Sequence, residues 1–100
     1  EKVIQKVVIG DNSFFQCTKL KLIQIQEKSE LQTIRKNAFY NSSIRNLLLP
    51  HHLNQIGENT FYLCDSLQII EINENSQFQL FGNNIFQDCA DALIMISVRS

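Results

Sequence analysis

Apolar residues in this chain fall into short blocks that recur at long spacing. The block Leu20-x-x-Ile23-x-Ile25 returns as Ile44-x-x-Leu47-x-Leu49, Leu67-x-x-Ile70-x-Ile72 and Leu93-x-x-Ile96-x-Val98. The end of each block alternates apolar with variable residues, the period-two mark of a half-buried strand. A second pattern precedes each block: Ile9-Gly10-Asp11-Asn12-Ser13-Phe14, Ile34-Arg35-Lys36-Asn37-Ala38-Phe39, Ile56-Gly57-Glu58-Asn59-Thr60-Phe61 and Phe81-Gly82-Asn83-Asn84-Ile85-Phe86. This stretch is too short for a full helix and predicts one helical or 3-10 turn. Asn suits the start of such a turn, because its side chain can accept a backbone N–H. The Gly before it is expected to supply a backbone conformation that side chains resist. Arg35 departs from that rule, so a different local backbone is expected there.

The pattern starts at 9, 34, 56 and 81, giving periods of 25, 22 and 25 residues. A unit of this size cannot bury its own apolar face, so such units stack. Stacking lays each strand beside the preceding one, about 4.8 Å away, in a parallel sheet. The expected architecture is therefore a β-rich α/β solenoid of about four repeats, a single segment over residues 1–100. A further apolar position lies three residues before each later start, at Leu31, Leu53 and Phe78, while the first repeat has Lys6 there. No clear repeat precedes the first. Length differences fall mostly in the loops after the strands, where they cost little. The last repeat stops right after its strand, without the polar cap that complete arrays carry. The segment is thus expected to belong to a longer array.

The composite pattern Ile-Gly-x-Asn-x-Phe-x-x-Cys-x-x-Leu-x-x-Ile-x-Ile resembles the BspA-like leucine-rich repeat family over residues 9–98. The resemblance implies a right-handed coil with one strand per repeat. It also implies a non-catalytic, cell-surface or extracellular module, since many members are implicated in adhesion to host cells and matrix proteins. Departures are Lys6, Arg35, Ser42, Phe81 and a one-residue deletion before Ile44.

Three repeated columns invite chemistry, and each reads as structure. Cys17, Cys64 and Cys89 share the ninth place, with Ser42 in the second repeat. One Cys per repeat lacks the paired ligands of a zinc site. An odd count interrupted by Ser argues against a disulfide framework. A small buried side chain whose thiol meets a backbone carbonyl is the expectation. Phe14, Phe39, Phe61 and Phe86 read as a core spine. Asn12, Asn37, Asn59 and Asn84 read as turn caps that satisfy backbone groups. No phosphate loop, nucleophile elbow or metalloprotease motif occurs. His51 and His52 are adjacent loop residues, and adjacent residues rarely face one metal. Asp11 and Glu58 read as a solvated acidic edge. No enzyme and no cofactor are expected. Asn41-Ser42-Ser43 is a glycosylation acceptor pattern that matters only on a secreted route.

Composition narrows the partners. The net charge of −1 comes with scattered Lys and Arg, which argues against nucleic acid. No apolar stretch approaches a membrane span, so direct membrane insertion by this segment is not expected. A protein partner remains, on the face that stacking creates. The variable strand positions form two outward columns, Leu22, Asn46, Ile69 and Met95, and Gln24, Leu48, Glu71 and Ser97. A third, partial column holds Gln26, Pro50, Asn73 and Arg99. Apolar residues rimmed by Gln, Glu and Arg suit a protein-interaction face. The alternative to a surface adhesin is a cytoplasmic scaffold or regulatory repeat domain, since three unpaired Cys suit a reducing compartment.

Overall fold

The computed structural model describes residues 2–4, 8–26, 28–73, 80–89 and 95–99. They form nine strands: β1 (Lys2–Ile4), β2 (Val8–Ile9), β3 (Ile23–Ile25), β4 (Thr33–Ile34), β5 (Asn46–Leu48), β6 (Gln55–Ile56), β7 (Ile69–Asn73), β8 (Leu80–Phe81) and β9 (Met95–Arg99). Every pairing is parallel and joins equivalent positions of neighbouring repeats. The apolar-variable-apolar blocks become β3, β5, β7 and β9. They pair as β1-β3 and β5-β7-β9. The ladder breaks between β3 and β5, the step at which the one-residue deletion before Ile44 falls. One backbone bond still crosses it, from Arg45 N–H to Lys21 C=O at 3.3 Å.

A second ladder, β2-β4-β6-β8, runs through the repeat starts. Its strands are two residues each, too short to show an alternation in sequence. β1 pairs in register with β3, Lys2 opposite Ile23 and Ile4 opposite Ile25. Residues 2–4 therefore hold the strand place of a preceding repeat, which corrects the expectation that none precedes Ile9.

The expected helical or 3-10 turn is absent. No helix occurs among the described residues, and the segment after each start is a run of overlapping four-residue turns. In the first repeat these close from Ser13 N–H to Gly10 C=O (3.3 Å), Phe15 to Asn12 (3.2 Å) and Cys17 to Phe14 (3.2 Å). The intervening amides point to the next repeat. Asn12, Phe14 and Gln16 N–H donate to Lys36, Ala38 and Tyr40 C=O at 3.1, 2.7 and 2.7 Å. The same alternation joins repeat two to three, and three to four. It leaves each amide a partner without any helix.

Two residues per repeat adopt the left-handed region. The first is the Asn column, Asn12, Asn37, Asn59 and Asn84, at φ of 56, 59, 56 and 59°. The second is Gln16, Asn41, Leu63 and Asp88, at 54, 52, 58 and 55°. Asn12 and Asn37 are each the third residue of a closed turn, Ser13 N–H to Gly10 C=O and Ala38 N–H to Arg35 C=O at 3.3 Å, the place where a type II turn demands positive φ. Asn tolerates that region better than other side chains. The capping role expected for the column does not hold at Asn37 and Asn59, whose Oδ1 atoms are buried without a hydrogen-bond partner. The glycines are corrected as well, for none has positive φ. Gly57 serves close approach instead. A Cβ there would lie 2.5 Å from Lys36 N and 2.8 Å from Arg35 C. A Cβ at Gly82 would collide with Glu58 N and Cα.

The core lies between the two ladders. It comprises Ile9, Ile23, Ile25, Leu31, Ile34, Ala38, Phe39, Ile44, Leu47, Leu49, Leu53, Ile56, Phe61, Cys64, Leu67, Ile70 and Ile85. Phe14, Phe39, Phe61 and Phe86 stack in series, with ring centroids 5.3, 5.7 and 5.6 Å apart and planes within 8°. Phe39 and Phe61 are fully buried, but Phe86, at the end of the stack, is 39% exposed. Phe78, Lys6 and Leu93 lie outside the described residues.

Candidate functional site

The strand face carries the candidate binding residues. Its inward positions are buried: Ile23 and Ile25 in β3, Leu47 in β5, Ile70 in β7. Register then places Asn46 beside Ile69 and Ile69 beside Met95. It likewise places Leu48 beside Glu71 and Glu71 beside Ser97. Met95 and Ser97 are located by this backbone register alone. Leu22 and Gln24 hold the equivalent places in β3 and the residue before it, across the interrupted step. Leu22 is 49% exposed, Gln24 and Asn46 are exposed, and Leu48, Ile69 and Glu71 are half-buried. Pro50, expected in the third outward column, is instead fully buried. Asn73 and Arg99 pair in register beyond it.

A cationic margin flanks the apolar column. Lys19, Lys21 and Arg45 are all exposed. Backbone bonds order this margin: Arg45 N–H reaches Lys21 C=O, and Gln68 and Ile69 N–H both reach Arg45 C=O, at 2.7 and 3.2 Å. Lys21, Arg45 and Gln68 therefore form a column immediately beside Leu22, Asn46 and Ile69.

Two thiols of the Cys column bond to backbone carbonyls of the preceding repeat. Cys64 Sγ donates to Phe39 C=O at 3.0 Å and lies 3.6 Å from Ser42 Oγ. Cys89 Sγ donates to Phe61 C=O at 3.0 Å. Burial pushes both thiol pKa values up, so neither is set up as a thiolate nucleophile. All three cysteines are free, Cys17 half-buried. Among the described residues no group of three His, Cys, Asp or Glu side chains could hold a metal. His51 and His52 are exposed and meet edge to face, 5.1 Å apart. Asn41 is half-buried in its turn, and Asp11 pairs with Arg35 at 2.9 Å. That pair borders an open groove of about 310 Å³ over the second ladder, lined also by Thr33, Lys36, Gln55 and Gly57.

One surface feature went unread in the sequence. Phe15, Tyr40 and Tyr62, each directly after the core Phe, stack along the outside with centroids 4.7 and 5.0 Å apart. The Tyr62 hydroxyl donates to Asp88 Oδ2 at 2.8 Å, a bond that raises its pKa. The signal was available: the aromatic recurs at one offset in three repeats.

A family model described as BspA type leucine rich repeat region (6 copies) matches residues 4–100. No curated protein and no solved structure matches the chain. No helix among the described residues is long and apolar enough to cross a membrane.

Proposed function

Because the chain belongs to the BspA type leucine rich repeat family, we propose that it is a non-catalytic protein-binding module built as a right-handed solenoid. The family's repeats are generally protein-interaction modules. The carrying observation is the strand face. Two outward columns run in register across β5, β7 and β9, with Ile69 and Leu48 standing where alternation would admit polar residues. Leu22 extends the apolar strip at β3. Such a strip, rimmed by Gln24, Asn46 and Glu71, has the composition of an interface core with a polar rim. The protein partner acts there, and no cofactor enters.

Placement at the cell surface, as an adhesin contacting host or matrix proteins, follows the family's common surface association in bacteria. The free cysteines sit equally well in a cytoplasmic scaffold, which is the second reading. Staining of intact against permeabilised cells separates the two, since signal only after permeabilisation removes the adhesin. The face itself is tested by Leu48→Asp and Ile69→Asp. Both are expected to abolish partner capture while leaving the folded circular-dichroism spectrum unchanged. Unaltered affinity in both variants would remove the face from the function.

A further inference from the structure

The strand face is chemically lopsided, and that asymmetry selects its partner. On one flank Lys19, Lys21 and Arg45 stand exposed. Arg35 pairs with Asp11 away from this face, and among the described residues no salt bridge joins Lys19, Lys21 or Arg45 to a carboxylate. Beside them lies the strip of Leu22, Asn46 and Ile69, ordered by the bonds that run Lys21 to Arg45 to Ile69. The carboxylate of Glu71 lies in the other outward column, on the far side of that strip.

Resting on the reading of this face as the binding surface, we infer that its partner is an acidic protein segment carrying apolar side chains. The segment lies across β3, β5 and β7 with its carboxylates toward Lys19, Lys21 and Arg45. Its apolar side chains cover Leu22, Leu48 and Ile69. Charge complementarity of this kind sets approach and orientation, and apolar contact supplies the buried centre. A strip made of exposed Leu22 and half-buried Leu48 and Ile69 next to cations also disfavours an anionic polysaccharide, which has carboxylates or sulfates but little apolar surface to cover the strip. Attachment by strand addition is not required at β7, which sits between β5 and β9.

The test uses the chain with three labelled peptides, read by fluorescence anisotropy. One repeats Glu-Leu-Ser-Glu, one has Lys for each Glu, and one has Ser for each Leu. The Glu-Leu peptide is expected to bind, more weakly as salt rises, and the other two are not. The double variant Lys21→Glu/Arg45→Glu, reversing two exposed charges, should weaken that binding about tenfold. Ile69→Ser should weaken it without changing the salt dependence. Three outcomes overturn the inference. Binding lost in Ile69→Ser but untouched by charge reversal would keep the face and discard the acidic partner. Indifference to both changes would discard the face as well. Binding of heparin that depends on Lys21 and Arg45 but not on Ile69, with no binding of the Glu-Leu peptide, would assign the cations to polysaccharide.

Discussion

Gly10 and Gly57 occupy the same place in their repeats, yet the same substitution should move stability in opposite directions. At Gly57 an added methyl would lie 2.5 Å from Lys36 N, 2.8 Å from Arg35 C and 2.9 Å from Lys36 Cα. All three are backbone atoms of the preceding repeat, so no flexible side chain can turn away. At Gly10 the nearest heavy atom is Ser13 Oγ at 3.6 Å, an ordinary contact. Neither glycine has positive φ, so alanine meets no conformational barrier at either. Gly10→Ala should then stabilise by about 0.4–1 kcal/mol, by restricting the unfolded chain. Gly57→Ala must open the stack, as overpacking does, and should destabilise by about 1–3 kcal/mol. Urea unfolding of the two variants beside the parent measures both effects. For a chain of this size each kcal/mol moves Tm by about 4–8 °C, so thermal melts also resolve them. Equal effects at the two positions would refute close approach as the reason for the glycine, and a stabilised Gly57→Ala would do so outright.

Two further outcomes follow from backbone and burial. Gln16 is exposed at φ 54°, so stability should rank Gly above Gln above Val at this position in thermal melts, with Val, a β-branched residue, losing most; a Val variant as stable as the parent would show that the turn yields freely. Burial raises the Cys64 pKa, so the fold favours the protonated thiol, and that stability is complete below the unfolded thiol's value of about 8.5 and lost as pH rises through the higher folded value. The urea midpoint should fall over that alkaline range, and the fall should be shallower in Cys64→Ala.

How much of this was legible depended on what each position asks of its side chain. Strands β3, β5 and β7 could be read because one face is buried and the alternation of Ile23-Gln24-Ile25 records it. Strands β2, β4, β6 and β8 left no trace, since two residues cannot alternate; Thr33-Ile34 looks like any polar-apolar pair. The Asn column was visible but its role was misread. Turn caps and left-handed turns both favour Asn, and only the φ values with the unpartnered Oδ1 atoms of Asn37 and Asn59 separate the two. Gly and Asn had their tasks exchanged: the glycines make room, and the asparagines bend the chain. The second bend gave no signal, because Gln16, Asn41, Leu63 and Asp88 share no residue type. In the candidate face the register columns followed from the repeat alignment alone. The burial of Pro50 did not, for it depends on how the loop after β5 folds back, with Leu53 N–H bonding to Pro50 C=O at 3.1 Å.

The alternation of turn amides has a consequence for how such a protein can change over generations. In the turn segments, the three described junctions between repeats are made by the same set of donors meeting the same set of acceptors, whatever side chains the strands display. A whole repeat gained or lost by unequal recombination in the gene therefore leaves the joined neighbours with matched partners, provided the cut falls in the same place in each copy. The number of repeats is free to drift as a unit count, while the residues on the strand face diverge one codon at a time. Length and recognition thus become separately heritable traits of one chain.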